Sequence, residues 1–227
     1  MSSDRSPGPF AGPASRQSSQ AEPWGKQDVL TNEEFEAWAE RLKLPEAAKA
    51  LIARIRSSAP VRRVTNTRGN MCGTFPSTKM SHTIQWVSST GELALVLQWE
   101  HDPNCLEIWD QALEAKIKYT LPSGRSAGAR TVIDFLLLLR DWAGAVDYKP
   151  SQNLQELALE QPYRWIQTGP HSWDQPPVRE RLQELGLGYR VLSEYDLSPG
   201  LVRNIAFLQP RLERAIDVPT STSELLK

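Results

Sequence analysis

The chain has 227 residues, 40% of them hydrophobic and 23% charged, with a formal net charge of -1. That is enough for one substantial globular core, with room for a small second unit. The longest apolar run, ending at Leu139, falls far short of the roughly 20 residues that span a bilayer, and the start lacks the charged-then-apolar order of a signal peptide, so an intracellular soluble protein with no membrane partner is expected. Cys72 and Cys105 have no C-x-x-C spacing; they exclude a disulfide framework and read as buried thiols. A near-neutral balance gives no global signal for nucleic acid, so the question passes to where the bases cluster.

Residues 1–27 are rich in Ser, Pro and Gly with almost no aliphatic side chains, the composition of a disordered leader. Thr31 and Glu34 have the spacing of a capping box, and Phe35, Trp38, Ala39 and Leu42 fall on one face of the helix it opens. Pro45 starts a second helix burying Ala48, Leu51, Ile52 and Ile55, so residues 28–80 begin with a small helical hairpin. From Ala47 to Met80 there are seven bases, Lys49, Arg54, Arg56, Arg62, Arg63, Arg68 and Lys79, and no acid. This run is either a solvated face with a polar loop around Gly69 and Asn70 or a surface that contacts DNA phosphates; a nearby nuclease site would favour the second.

His82–Val87 alternates as a short strand, and Ser89-Thr90-Gly91-Glu92 has the capping-box spacing of a helix running to about Glu100. Glu92 leans toward the apolar side of that helix, with Leu95, Val96 and Trp99. Glu100 lies about 12 Å further along the axis at about 1.5 Å per residue, too far to share one metal with Glu92. Cys105–Gln111 and Leu113–Thr120 read as two strands, Leu121-Pro122-Ser123-Gly124 as a turn, and Thr131–Leu139 as the central strand. A further strand ends in Asp147-Tyr148-Lys149 and stops at Pro150. Beyond it come a helix over Leu154–Leu159, a helix from Asp174-Gln175-Pro176-Pro177 to Gly186, the strand Tyr189–Leu192, and a last helix from Ser198-Pro199 with Leu201, Ile205 and Leu208 on one face. Residues 211–227 read as a polar tail. This order predicts an α/β or α+β sheet covered by helices.

Asp134 stands inside an apolar strand and Asp147 ends the next, where an unpartnered carboxylate is expensive to bury. In Asp147-x-Lys149 the two-residue period puts a carboxylate and an ammonium on one face. With Glu92 they make three oxygen ligands suited to Mg²⁺, for which Mn²⁺ could substitute, while His82, His101 and His171 share no metal-ligand spacing. Such a site suits phosphodiester hydrolysis. Lys149 would stabilise developing phosphate charge or orient the water; its simpler role is a salt bridge to Asp147 or Asp134.

The order Glu92, Ile133-Asp134-Phe135 and Val146-Asp147-Tyr148-Lys149 resembles the PD-(D/E)xK nuclease superfamily. SSTGELALVLQWEHDPNCLEIWDQ, the strand with IDF, and ERLQELGLGYRVLSEYDLSPGLVRNIAFL more particularly resemble the catalytic domain of TnsA-type transposon endonucleases, over about Thr83–Leu208. The resemblance implies a restriction-endonuclease-like central mixed sheet flanked by helices, with a nuclease domain over 81–210. It also implies two divalent ions, with Glu92, Asp134 and Asp147 as metal ligands and Lys149 as the catalytic lysine, in a DNA endonuclease that cuts one strand at the 5′ ends of a transposon. The partners it implies are a DDE transposase and an AAA+ regulator, and the compartment is the bacterial cytoplasm, at the nucleoid when acting. Ser89 and Gln111 also match family positions, with no chemistry evident. The best-known members carry a further helical domain after the nuclease, whereas this chain stops at Lys227, as a short variant or a fragment of a longer protein. A restriction or repair nuclease of the same superfamily, or a catalytically silent DNA-binding scaffold, stays open beside this reading.

Overall fold

The computed structural model describes residues 29–64, 72–80 and 82–216, with side chains described as far as Phe207. The expected leader (1–27), Arg68 with Gly69 and Asn70, and the end of the expected tail lie outside the described residues.

Helix α1 (Asn32–Arg41) opens on the Thr31/Glu34 capping box, each side chain bonded to the other residue's backbone N–H, and buries Phe35, Trp38 and Ala39. Helix α2 (Glu46–Arg56) buries Ala48, Ile52 and Ile55; Leu42 and Leu51 lie half-buried at the margins. These side chains belong to the same continuous core as the sheet. Trp38 Nε1 donates to Leu139 O at 2.8 Å, and Arg56 pairs with the fully buried Glu107, so the hairpin is fastened by buried polar contacts as well as by apolar packing.

Strands β1 (Gly73–Pro76) and β2 (Thr83–Trp86) form a small antiparallel pair, followed by α3 (Glu92–Glu100). The central sheet then builds from β3 (Cys105–Thr120), β4 (Ser126–Leu139) and β5 (Ala143–Tyr148), an antiparallel meander. After α4 (Ser151–Glu160), the hairpin β6 (Ile166–Gly169) and β7 (Ser172–Asp174), and α5 (Pro176–Gln183), strand β8 (Gly188–Leu192) pairs parallel to β5. The sheet order is β3-β4-β5-β8, a mixed four-stranded sheet flanked by helices. The leucine run Leu136–Leu138 is buried on both faces of β4, which explains why it reads as continuous rather than alternating. A 3-10 turn (Glu194–Asp196) leads to α6 (Pro199–Ile216), which packs on α3. Among the described residues no helix is long and apolar enough to cross a membrane.

Several expectations about the elements need correction. Cys105–Gln111 and Leu113–Thr120 are one strand. Its register against β4 shifts between Asp110 and Leu113, with Gln111 at φ 45, so the lapse in alternation marks a β-bulge and not a strand end. Strands β1, β6 and β7 are too short and polar to announce themselves. On α6, Leu201 is 47% exposed, while Val202 and Ile205 turn to the core. That helix also continues into the stretch expected as tail. Cys105 is buried and burial pushes its thiol up to about 12, whereas Cys72 is half-buried; no disulfide joins them.

Candidate active site

The ladder between β4 and β5 stops at Phe135↔Val146, and the next residues along, Asp134 and Asp147, use their side chains where main-chain bonds would continue. Asp134 N–H donates to Asp147 Oδ1 at 3.0 Å, and Tyr148 N–H donates to Asp134 Oδ2 at 3.0 Å. Each carboxylate thus satisfies a backbone donor that the parting strands would leave unpaired. The pattern holds two acids side by side with their carboxyl groups fixed.

Asp147 is buried, and its Oδ2 accepts from the Tyr189 hydroxyl on β8 at 2.7 Å. Tyr189 Oη also lies 3.2 Å from the Gln175 amide, at the residue preceding α5. A phenol has one proton, and Asp147 takes it; the amide therefore presents its nitrogen to Oη, which also gives the otherwise unpartnered Gln175 Nε2 an acceptor. The chain Gln175–Tyr189–Asp147 runs inward from the helix to the carboxylate.

Glu92 begins α3 and is 6% exposed, with Oε2 accepting from Val87 N–H at 2.7 Å. The expected Ser89/Glu92 capping box is absent. Gly91 is the cap residue, and Ser88 satisfies the helix start, its carbonyl accepting from Leu93 N–H at 2.9 Å and its hydroxyl from Gly91 N–H at 3.1 Å. Gly91 is required by its neighbour: a Cβ there would lie 1.9 Å from Tyr148 Cε1. This contact sets the first turn of α3 against the end of β5.

The charges act on one another. Burial and then the Asp147 charge push the Asp134 carboxyl well above the usual carboxylate range, against the pull of Lys149. Burial raises Asp147 too, opposed by Lys149, the Asp134 N–H and the Tyr189 hydroxyl. Glu92 is raised by burial, opposed by the Val87 N–H, Lys149 and Arg62, while Asp147 adds to the rise. Burial likewise lifts the Tyr189 phenol far above its ordinary range, keeping it a proton donor. Lys149 leaves β5 with its N–H on Leu192 O, and Ser151 just beyond donates its N–H and hydroxyl to Glu194. Its ammonium lies over the Trp165 ring, 5.7 Å from the centroid, rather than in a direct ion pair with either aspartate.

Asp134 and Asp147 therefore touch through main-chain donors, while Glu92 and Lys149 join them through their fields. Among the described residues no three His, Cys, Asp or Glu side chains already converge as an ion-binding group. The donor set nonetheless fits a hard cation: it consists of carboxylate oxygens, the charges repel, and among the described residues no donor meets Asp134 Oδ1 or Glu92 Oε1. The rival acid Glu100 is otherwise engaged, accepting from Ser77 Oγ, Thr78 N, Thr78 Oγ1 and Lys79 N at 2.6–3.0 Å.

The basic run separates into different roles. Lys79 is 6% exposed and donates to the carbonyls of Trp99, Asp102 and Cys105 at 2.7, 2.8 and 2.6 Å, closing the C-terminal end of α3, so it is removed from any DNA-facing surface. Arg56 is held by Glu107 and stacks over Phe35, and it too is withdrawn. Lys49 pairs with Glu46 and Glu36. Arg54, Arg62 and Arg63 remain exposed. Arg62 is the one whose charge reaches Glu92. His82 stacks on Trp109 and His171 on Tyr195.

Tyr189, Gln175 and Gly91 escape a reading of the sequence. A tyrosine in a strand looks like ordinary packing; only the rule that a buried hydroxyl needs a partner could have flagged Tyr189. Compared with known proteins, the chain matches no family model, and no curated protein is significantly similar to it in sequence.

Proposed function

We propose that the chain is a metal-dependent DNA endonuclease of the PD-(D/E)xK, restriction-endonuclease-like superfamily. It would act as the TnsA-type subunit of a heteromeric transposase that cuts one strand at the 5′ ends of a transposon. The observation that carries this reading is the facing pair Asp134 and Asp147 at the point where β4 and β5 part, within the fields of Lys149 and Glu92. The meander followed by a parallel strand, with the acids gathered at one end of β4 and β5, supports the superfamily assignment.

Asp134, Asp147 and Glu92 would hold Mg²⁺, or Mn²⁺ in its place. When bound, the ion supplies charge against the scissile phosphate and lowers the pKa of its water. The chain's own groups do the rest. Tyr189 favours the ionised form of Asp147 and fixes which way its carboxylate faces. The Tyr148 N–H does the same for Asp134. Lys149, steadied over Trp165, supplies a cation for phosphate charge as it develops. Arg62 and Arg63, with Arg54, contact the DNA backbone rather than read bases. Transposon-end DNA, a DDE transposase and an AAA+ regulator are the proposed partners, in the bacterial cytoplasm at the nucleoid.

The test is Mg²⁺- or Mn²⁺-dependent nicking of supercoiled and transposon-end DNA, with the partner proteins present. Asp134→Ala should abolish nicking while the protein stays folded. Nicking that survives this change would remove Asp134 from the mechanism.

A further inference from the structure

Strands β3 and β4 stay paired well beyond the point where β5 leaves them. β5 pairs with β4 only over Phe135–Leu138, whereas β3 follows β4 as far as Ser126. Leu113–Thr120 and Ser126–Ile133 therefore form a two-stranded ribbon growing from the strand that carries Asp134, about 27 Å long at about 3.4 Å per residue.

One face of the ribbon is fixed. Leu113, Ala115 and Ile117 are buried, Tyr119 stacks on Tyr163 with centroids 5.5 Å apart, and the Arg164 guanidinium lies 5.3 Å over the Tyr119 ring. The other face is open to solvent: Lys116 stands opposite Arg130, Lys118 opposite Gly128 and Thr120 opposite Ser126, all exposed. At the tip, Gly124 has φ +79 with open space around it, and Arg125 beside it is exposed. Residues 113–133 carry four cations, Lys116, Lys118, Arg125 and Arg130, and one acid, Glu114, in a chain of net charge -1. That acid is already bonded to Arg130 at 3.3 Å. Lys116 and Arg130 directly opposite each other are mutually repulsive in the free protein, a repulsion that a polyanion would relieve. The two-residue period of β4 carries the same face on from Arg130 to Asp134.

We infer that this face of the ribbon is a DNA-backbone contact that follows the duplex away from the cleavage site; the inference rests on the nuclease reading of that site. A preorganised row of cations on the strand that holds the acidic site matches the regular phosphates of a duplex. The face carries Lys116, Lys118, Thr120, Ser126, Gly128 and Arg130, with Glu114 and Val132 at its inner end; cations spaced along an extended ribbon match the repeat of phosphates along a duplex, and the contact is therefore assigned to the DNA backbone.

The test uses the full chain and a fluorescent duplex in EDTA, with the dissociation constant followed across NaCl concentration. Lys116→Gln with Lys118→Gln should weaken binding about tenfold at moderate salt and flatten the salt slope by roughly two. Glu114→Gln should tighten binding, a direction that mere destabilisation does not produce. An unchanged affinity and slope in the double variant overturns the ribbon contact, as does a wild-type chain that binds no duplex. Mn²⁺ binding, measured on the same proteins without DNA, separates the two readings. Ribbon-dependent duplex binding by a chain that takes up no Mn²⁺ sinks the nuclease site and leaves the ribbon standing. Mn²⁺ uptake with no ribbon effect does the reverse.

Discussion

Removing the Tyr189 hydroxyl tests whether the inner end of the site works by tuning Asp147. Tyr189→Phe deletes one donor, 2.7 Å from Asp147 Oδ2, in a buried position where water does not readily replace it. A hydrogen bond to a charged group contributes about 1.5–3 kcal/mol, and this one favours the ionised carboxylate over the protonated one. Mn²⁺ binds the ionised form. The variant should therefore bind Mn²⁺ about 10–100-fold more weakly at a fixed mildly acidic pH, since every 1.4 kcal/mol is about tenfold. Burial already holds the Asp147 carboxyl above its ordinary range, and losing the hydroxyl moves it further up. The pH at which Mn²⁺ binding is half-maximal should rise, and the deficit should narrow in alkaline solution. Calorimetric titration with Mn²⁺ from mildly acidic to alkaline pH reads both effects. A variant with wild-type affinity and an unmoved pH midpoint would refute the proposed role, leaving Tyr189 as packing alone.

Other perturbations probe the frame around that carboxylate. Gly91→Ala places a Cβ 1.9 Å from the Tyr148 ring and should cost about 1–3 kcal/mol of stability by overpacking; made in a Tyr148→Ala background, the same change should cost less, and a strictly additive double variant would refute the contact. Lys79→Met leaves three buried carbonyls without their shared donor and should lower stability by on the order of 2–5 kcal/mol, with duplex affinity of the folded protein unchanged; a selective loss of DNA binding would restore Lys79 to the DNA surface. The Asp134 carboxyl is raised in the folded state, so the stability it contributes is present at acid pH and lost as pH climbs from about 3.8 through the raised value. Asp134→Asn should thus be the more stable protein in EDTA at neutral pH, by on the order of 1 kcal/mol after solvent screening, or about 2–4 °C in melting temperature, with the advantage vanishing in acid; a melting curve lower than wild type at neutral pH would contradict this. Arg62→Glu with Arg63→Glu should weaken duplex binding and flatten its salt dependence, and unchanged affinity would return both residues to a solvated surface.

How much of this was legible depends on whether a residue's role shows in its local pattern. Asp134, Asp147 and Lys149 stand out because charged groups interrupt apolar strands; the two-residue period relates Asp147 to Lys149, but it is the pairing of β4 with β5 that sets Asp134 beside Asp147. Glu92 is legible as an acid on the apolar side of a helix, but the capping spacing beside it does not describe how that helix starts. Ser89 and Glu92 have capping spacing, yet Ser88 closes the helix and leaves the Glu92 carboxylate turned back to Val87. Tyr189 and Gln175 act on Asp147 across a parallel strand pair and a crossover, and no spacing rule reaches that far. Sequence alone leaves the basic run undivided for a physical reason: charge along a sequence says nothing about depth, and Lys79 is a buried partner of carbonyls while Arg56 is half-buried against Glu107. The bulge at Gln111 was visible as a lapse in alternation, but a lapse alone does not distinguish a bulge from a strand end.

The central claim is that Asp134, Asp147 and Glu92 share a divalent cation, and anomalous diffraction from crystals soaked in Mn²⁺ tests it most directly. The account predicts an anomalous peak about 2 Å from carboxylate oxygens of Asp134 and Asp147, with Glu92 turned toward it and Lys149 alongside. It also predicts that Asp134→Asn crystals lose the peak. A saturating soak with no peak between β4 and β5, while Mn²⁺ appears elsewhere on the molecule, would contradict it.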